Sequence, residues 1–522
     1  MKTVLLGLDG CTWSILRPLA EKGVMHNLAK LMKQCSWGIL RSTIPPITGA
    51  AWPSLATGLN PGKTGIVDFL GRKGQEYRLY PADSSWYRGY AFWDLLSVEN
   101  KRIAVFFYPL TYPPYPIKGV LVSGIGTPSL KPKSYPQEVT DEILSSFPDF
   151  RVYVDYHDEK YNDVDLFISD VMRHLEITKR MVKSYVLGKY GLYDNITFIV
   201  SATDWIQHRL WHLMDPKHPL YHEEQSKRYS KKIDDLWSLV DETVGFFAEY
   251  AHSEKAYLMI VSDHGFGSNL GVFNLARWLV TKGYMKLRRG GSWKASILSY
   301  GIRIAKKLRA DDLAKRVLRG RVREYVQSLG LTGLINFTES KAIALGHSIT
   351  FGGIYVLKSK EREKLIDELT GELKKIPEEF KIDVGVNVYR REDLYSGDKL
   401  KLLPDLIIGI DDWSFSITED LHSPLLELRP WSPRHTGAHR PNGIFLLCGP
   451  SVKRHAGLSV SIYDVAPTIL YLHKAPIPGD VDGRPLSKLL SNAREPRYIS
   501  RSYYNTRIKI FQELRRKRSS LH

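Results

Sequence analysis

Two carboxylate–imidazole pairs, one histidine pair and a threonine hydroxyl are the residues of this chain whose types and spacing allow chemistry. Asp204-Trp-Ile-Gln-His208 sets an acid and an imidazole four residues apart, so on a helix both face one side and can hold one cation. His212 stands a further four residues on, which makes His208/His212 a competing pair, while His218 and His222 read as surface residues on a polar connection. Asp263-His264-Gly265 closes an apolar run. Adjacent strand residues face opposite ways, so this pair reaches one ion only where the chain turns, and Gly265 and Gly267 ease such a turn. His435-Thr-Gly-Ala-His439 offers two more imidazoles from a loop, and position alone does not choose between them. Taken singly, each pair is also what a helix start, a hydrogen-bonded turn or an exposed loop looks like.

Thr48 follows Pro45-Pro46, which ends an extended segment, and opens a small-residue helical run that stops at Gly58. Its hydroxyl sits where it can cap a helix N-terminus, beside free backbone N–H groups that favour anions. A threonine hydroxyl needs a metal or a base to become a nucleophile. Counted together, Asp9, Thr48, Asp204, His208, Asp263, His264 and His439 exceed one tetrahedral site and suffice for two ions. Mixed carboxylate and imidazole ligands suit zinc or manganese better than calcium. A two-metal site suits in-line displacement at phosphorus. No Ser-His-Asp triad or thiol nucleophile stands out.

The elements that must position these residues are short apolar runs. Thr3–Leu8 ends at Asp9-Gly10, Ile196–Val200 leads to Asp204, and Ala256–Val261 leads to Asp263; Ile103–Phe107, Leu406–Ile410 and Ile444–Cys448 share the pattern. Such runs, separated by helical stretches, predict a mostly parallel sheet with helices on both faces, whose ligands bind beyond the carboxyl ends of the strands. Helices are expected over Asp165–Leu187, Ser226–Tyr250 and Asp464–Leu472, and the sheet is expected to resume at Ile354–Val356. The expected organisation is a catalytic α/β core over 1–272 and 338–490, a basic helical insertion over 273–337 and a basic tail over 491–522.

The chain has 522 residues, 43% hydrophobic and 25% charged, the composition of a globular protein of roughly two to four domains. Its net charge of +18 is concentrated between Lys286 and Glu324 and in Arg515-Arg516-Lys517-Arg518. These segments read either as solvated basic surfaces or as a footprint for an anionic membrane surface or nucleic acid. Cys11, Cys35 and Cys448 lie far apart without CxxC pairing, which argues against a disulfide framework or thiolate zinc and for a reducing cytosol. No apolar run is long enough to span a membrane and the N-terminal run is too short for a signal peptide, so the expected location is cytoplasmic.

In this order the pieces resemble the alkaline phosphatase superfamily, specifically its type I phosphodiesterase/nucleotide pyrophosphatase branch and the related phosphohydrolases and phosphomutases. The matching stretches are Gly7–Gly10, Pro46–Gly58, Asn60–Gly65, Asp204–His208, Ser262–Gly265, Gly437–Arg440, Tyr463–Leu470 and Asp482–Leu486. The resemblance implies an alkaline-phosphatase-like α/β fold and a two-metal phosphoric ester hydrolase acting on a small phosphoester through a phosphothreonine on Thr48. It also implies that Asp9, Thr48, Asp263 and His264 hold one ion, and Asp204, His208 and His439 the other. The asparagine with which nucleotide pyrophosphatases help hold the phosphoryl oxygen is not found in Ile66-Val-Asp-Phe69, and the sulfatase C/S-x-P-x-R motif is absent around Thr48. The alternatives are a phosphomutase of the same fold, or a non-catalytic protein that binds anionic lipid or nucleic acid.

Overall fold

The computed structural model describes residues 1–187, 192–288, 331–421, 423–430 and 432–519, in two compact units. The first comprises Met1–Asn60, Asp83–Ser268 and Pro433–His522; the second comprises Pro61–Ala82 and Asn269–Ser432.

The first unit is built on a nine-stranded sheet. Its strands are β1 (Thr3–Leu8), β2 (Ser36–Arg41), β3 (Ile103–Tyr108), β4 (Gly119–Ser123), β5 (Ser134–Tyr135), β6 (Asn195–Val200) and β7 (Tyr257–Val261). After β8 (Gly265–Ser268) and β9 (Gly437–Arg440), which form their own antiparallel two-stranded sheet, come β10 (Asn442–Cys448) and β11 (Leu458–Ser461). The order across the sheet is β11-β2-β10-β7-β1-β6-β3-β4-β5. The central strands β7, β1, β6, β3 and β4 run parallel, while β10 is antiparallel to both β2 and β7.

Continuous apolar sequence in β1 follows from its central place, because both faces are covered. Val4, Leu6 and Leu8 join a core with the helices Val164–Leu187 and Glu223–Ser253. Leu5 and Gly7 face the other way, where Trp52 of helix α1 (Thr48–Thr57) lies against Gly7. Gly58 ends α1 in the left-handed conformation (φ 68°), a cap that favours glycine. Helix α2 (Ala202–Met214) begins directly after β6.

The second unit carries a four-stranded sheet in the order Ala342–Ile343, Gly352–Val356, Leu406–Ile410, Val386–Arg390, with helix Arg362–Lys374 packed on it through Leu365, Ile366, Leu369 and Leu373. The apolar runs at Ile354–Val356 and Leu406–Ile410 therefore belong to a separate antiparallel sheet, not to the main one. Hydrophobic continuity signals a covered strand but not which sheet it joins. The second unit is also wider than the 273–337 insertion expected from composition. The basic segment from Arg289 to Arg323, with its expected helices, lies outside the described residues. The tail forms a helix, Arg501–Ser519, that buries Tyr504 and Ile508.

A disulfide joins Cys35 to Cys448 across a sequence separation of 413 residues, contrary to the expectation of unpaired cysteines. The antiparallel register that sets Ser36 opposite Leu447 brings the two thiols together, and the cysteine argument for a reducing cytosol falls with it. Among the described residues, no helix is long and apolar enough to cross a membrane.

Candidate metal centre

Four chain segments of the first unit converge at the carboxyl end of the central strands. Asp9 follows β1, Asp263-His264 follows β7, Asp204 and His208 occupy the first two turns of α2 after β6, and Thr48 opens α1. His439 arrives on β9, paired opposite Phe266 of β8, rather than on the loop expected. All seven are buried: Asp9, Asp263 and His264 are 0% exposed, and Asp204, the most open, is 8% exposed.

Two groups of ligand atoms result. His208 Nε2 and His439 Nε2 each lie 3.4 Å from Asp204 Oδ1 and 2.9 Å from one another. Four donors about 2.0–2.1 Å from one zinc stand roughly 3.3 Å apart, so this spacing fits a common ion. In the other group His264 Nε2 lies 3.3 Å from Asp263 Oδ2, 3.8 Å from Asp9 Oδ1 and 3.2 Å from Thr48 Oγ1. The groups adjoin: the His264 and His439 rings stack with centres 3.7 Å apart, and ligand atoms of Asp204, His264 and His439 also fall within 4.8 Å of one another.

The histidines are held in one tautomer. His208 Nδ1 meets the Gly437 carbonyl, His439 Nδ1 the Pro46 carbonyl and His264 Nδ1 the Gly265 carbonyl, each at 3.0 Å. A carbonyl can only accept, so each Nδ1 carries the proton and each Nε2 keeps its lone pair for the centre.

The acids are the opposite of settled. Both oxygens of Asp9, Oδ1 of Asp204 and Oδ2 of Asp263 are buried without a hydrogen-bond partner. Burial, then the neighbouring Asp263 and Asp204, push the Asp9 carboxyl well above the usual carboxylate range. Burial raises Asp204 to about 7, with His264 opposing and Asp263 adding to the shift. Burial holds His264 and His439 down at about 4, against the pull of Asp263, and drives His208 well below its ordinary value. Unpaired buried carboxylates cost several kcal/mol each, and so does burying imidazolium. One change relieves all of them, a cation between neutral imidazoles and ionised acids. The donor set therefore fits divalent metal, with carboxylate and imidazole chemistry suited to zinc or manganese.

The remaining histidines take other roles. His435 stacks flat on His208, with ring centres 4.5 Å apart, and Tyr156 stacks on the same imidazole at 4.9 Å. His212 meets Thr436 Oγ1 at 3.1 Å through Nδ1. His218, expected on the surface, is only 3% exposed: its Nε2 donates to the Thr436 carbonyl while Nδ1 accepts from Leu220 N–H. Together with Thr436 N–H donating to the His208 carbonyl, these bonds fasten the segment leading into β9 onto α2. Sequence reasoning missed the ring contacts of Tyr156 and the role of Thr436; neither has a spacing signature, since each acts through a fold-dependent contact.

The model of the type I phosphodiesterase / nucleotide pyrophosphatase family matches residues 3–442. No curated protein matches the chain by sequence. Among solved structures the chain is similar to murine ectonucleotide pyrophosphatase / phosphodiesterase 5, at 13% identity, a TM-score of 0.51, and coverage of 94% of this chain and 100% of that one. An inactive variant of the murine protein in complex with AMP aligns with a TM-score of 0.52, again at 13% identity and with the same coverage. Phosphonoacetate hydrolase from Sinorhizobium meliloti 1021, in complex with phosphonoacetate, matches at 12% identity with a TM-score of 0.54, covering 91% of this chain and 95% of that one. These likenesses establish a shared alkaline-phosphatase-like α/β fold. With the family's sequence pattern running from β1 to β10, the chain belongs to the type I phosphodiesterase / nucleotide pyrophosphatase family and is a metal-dependent phosphoester hydrolase.

Proposed function

We propose that the protein hydrolyses small phosphodiesters with Thr48 as nucleophile at a two-ion centre. Asp9, Thr48, Asp263 and His264 hold one ion, and Asp204, His208 and His439 hold the other; zinc or manganese is the metal. The observation that carries the reading is the setting of Thr48 Oγ1. It stands at the positive end of α1, 3.2 Å from His264 Nε2, among acids of which four buried oxygens have no hydrogen-bond partner.

The residues divide the work as follows. Without an ion, His264 Nε2 accepts the Thr48 hydroxyl hydrogen bond, because its Nδ1 proton is committed to Gly265; with an ion bound, that one lone pair would ligate it instead. An imidazole held near 4 is too weak a base to ionise the hydroxyl alone. Bound divalent cations supply the missing charge, lowering the hydroxyl pKa and stabilising the leaving oxygen. Thr48 Oγ1 forms a bond to phosphorus as the bond to the leaving alcohol breaks, and the α1 N-terminus favours the resulting phosphate ester on Thr48. Water then cleaves that ester, returning Thr48. The structural neighbours' ligands, AMP and phosphonoacetate, are compatible with a small phosphorus-containing substrate. A nucleotide is not favoured, since Ile66-Val-Asp-Phe69 lacks the asparagine with which nucleotide pyrophosphatases help hold the phosphoryl oxygen.

The test is a rapid quench of the metal-loaded protein with an aryl phosphodiester, followed by peptide mass analysis. The expected result is a substituted phosphoryl adduct on Thr48 and, in 18O-labelled water, solvent oxygen in the product. An adduct elsewhere removes the nucleophile assignment. Transfer to a second hydroxyl without solvent oxygen gives the phosphomutase reading instead.

A further inference from the structure

We propose that Thr436 is a positioning residue for the ion assigned to Asp204, His208 and His439, its hydroxyl and backbone fixing where β9 sits on α2. This role depends on those three residues ligating one ion, as proposed above.

Asp204 and His208 are four residues apart on α2, so the helix alone sets their spacing. His439 comes from β9, 231 residues after His208, and nothing within α2 places it. The three ligand atoms meet only if β9 is held in register against the helix. Gly437 and His439 are two residues apart on β9 and face the same side. At Gly437 that side lies so close to α2 that a Cβ would stand 2.4 Å from the Gln207 carbonyl oxygen. The Gly437 carbonyl also accepts from His208 Nδ1 at 3.0 Å. The strand thus orients one ligand and carries another, and Thr436 is the residue that leads into it.

Thr436 is 0% exposed, and all three of its polar atoms are spent on this junction. Its N–H donates to the His208 carbonyl at 2.7 Å, and its carbonyl accepts from His218 Nε2 at 3.0 Å. Its Oγ1 lies 3.2 Å from the His208 carbonyl oxygen, 3.3 Å from His212 N and 3.1 Å from His212 Nδ1. A hydroxyl donates once and accepts twice, and a carbonyl only accepts. Oγ1 therefore donates to His208 and accepts from both the N–H and the Nδ1–H of His212. The His208 carbonyl and the His212 N–H are one helical turn apart, so the hydroxyl grips α2 at the turn that begins with the ligand. Packing alone would be served by valine, which has the same shape; the hydroxyl is what makes the tie. Groups that hold a ligand in place from behind set the affinity of the ion in front.

The test compares Thr436→Val, which removes the hydroxyl, with Thr436→Ser, which keeps it. Each full chain is stripped of metal with a chelator and titrated with Zn2+ and with Mn2+ by calorimetry. The wild type should show two binding steps. Thr436→Val should weaken one of them about 10- to 100-fold and leave the other unchanged, and Thr436→Ser should keep both. Two unchanged steps in Thr436→Val, two steps weakened alike, or a serine variant as weak as the valine one each overturn the positioning role while leaving the two-ion reading intact. A wild type that binds no ion overturns that reading, and the positioning role with it. Should Thr436→Val fail to fold, His212→Leu, which takes away one partner of the same hydroxyl, is titrated in its place. One step selectively weakened is again expected, and two unchanged steps overturn the proposal.

Discussion

Asp405 in the second unit and Asp9 in the first are both buried aspartates, in opposite surroundings. Asp405 Oδ1 accepts from Arg362 Nε at 2.7 Å and lies 3.0 Å from Arg391 Nη2, while Oδ2 accepts from Val356 N–H at 2.8 Å. Asp9 has no hydrogen-bond partner for either oxygen and two further acids close by. A protein that buries a charge for structural reasons surrounds it with donors, as the second unit does. Asp9, with neither oxygen partnered and an imidazole lone pair facing it, has instead the surroundings that the proposed two-ion centre calls for. Partner bookkeeping thus separates the structural acid from the proposed ligand better than burial does, since both residues are buried.

The comparison can be broken most forcefully at the reacting group. Thr48→Ala is expected to lower turnover of an aryl phosphodiester by about ten-thousandfold or more, measured with saturating metal. Full activity in that variant would falsify the nucleophile assignment. Next in size is Asp405→Asn, which takes from the half-buried Arg362 and the largely buried Arg391 the most deeply buried of their carboxylate partners, leaving both with Glu392. It should destabilise the protein by about 3–5 kcal/mol in chemical denaturation, equally with chelator and with metal. Asp9→Asn should behave in the opposite sense. Near pH 8 the metal-free variant gains about 1–3 kcal/mol over the wild type, because a disfavoured carboxylate is gone, and the gain becomes a loss once metal is added. If Asp9→Asn and Asp405→Asn destabilise alike in chelator, the distinction drawn between the two acids is wrong.

The smallest effect concerns pH. The folded metal-free protein holds Asp204 at about 7, above the ordinary carboxylate value. A raised carboxyl pKa means that the folded state binds the proton more tightly than the unfolded one. Its contribution to stability is complete below about pH 4 and is lost as pH rises towards 7. Asparagine has no such dependence. The stability of Asp204→Asn relative to wild type should therefore grow between about pH 4 and pH 7 and level off above, in denaturant titrations with chelator present. A difference that stays flat across that window contradicts the burial argument for this acid.

How far the sequence could be read depended on the range of the interactions involved. Strands β1, β6 and β7 were legible because each is a fully apolar run ended by polar residues, and the acids beyond their carboxyl ends could be grouped before any coordinates. The membership of Leu406–Ile410 was not legible, since a covered strand looks the same in either sheet. The Cys35–Cys448 bond depends on the pairing of β2 with β10, a contact between chain segments more than 400 residues apart that leaves no local trace. His439 was expected on a loop because four residues flanked by Gly and Pro are too short to display a strand period. His218 was expected on the surface because the stretch around it is polar, but Thr436 closes over it from far along the chain.

Native mass spectrometry of the intact chain, after chelation and re-addition of Zn2+ or Mn2+, tests the central claim most directly. Two ions are expected on the wild type, one on Asp204→Ala and one on Asp263→Ala, each variant having lost a different ion. A wild type that takes up no ion, or variants that both still hold two, would contradict the assignment of these buried acids and histidines to a two-ion centre.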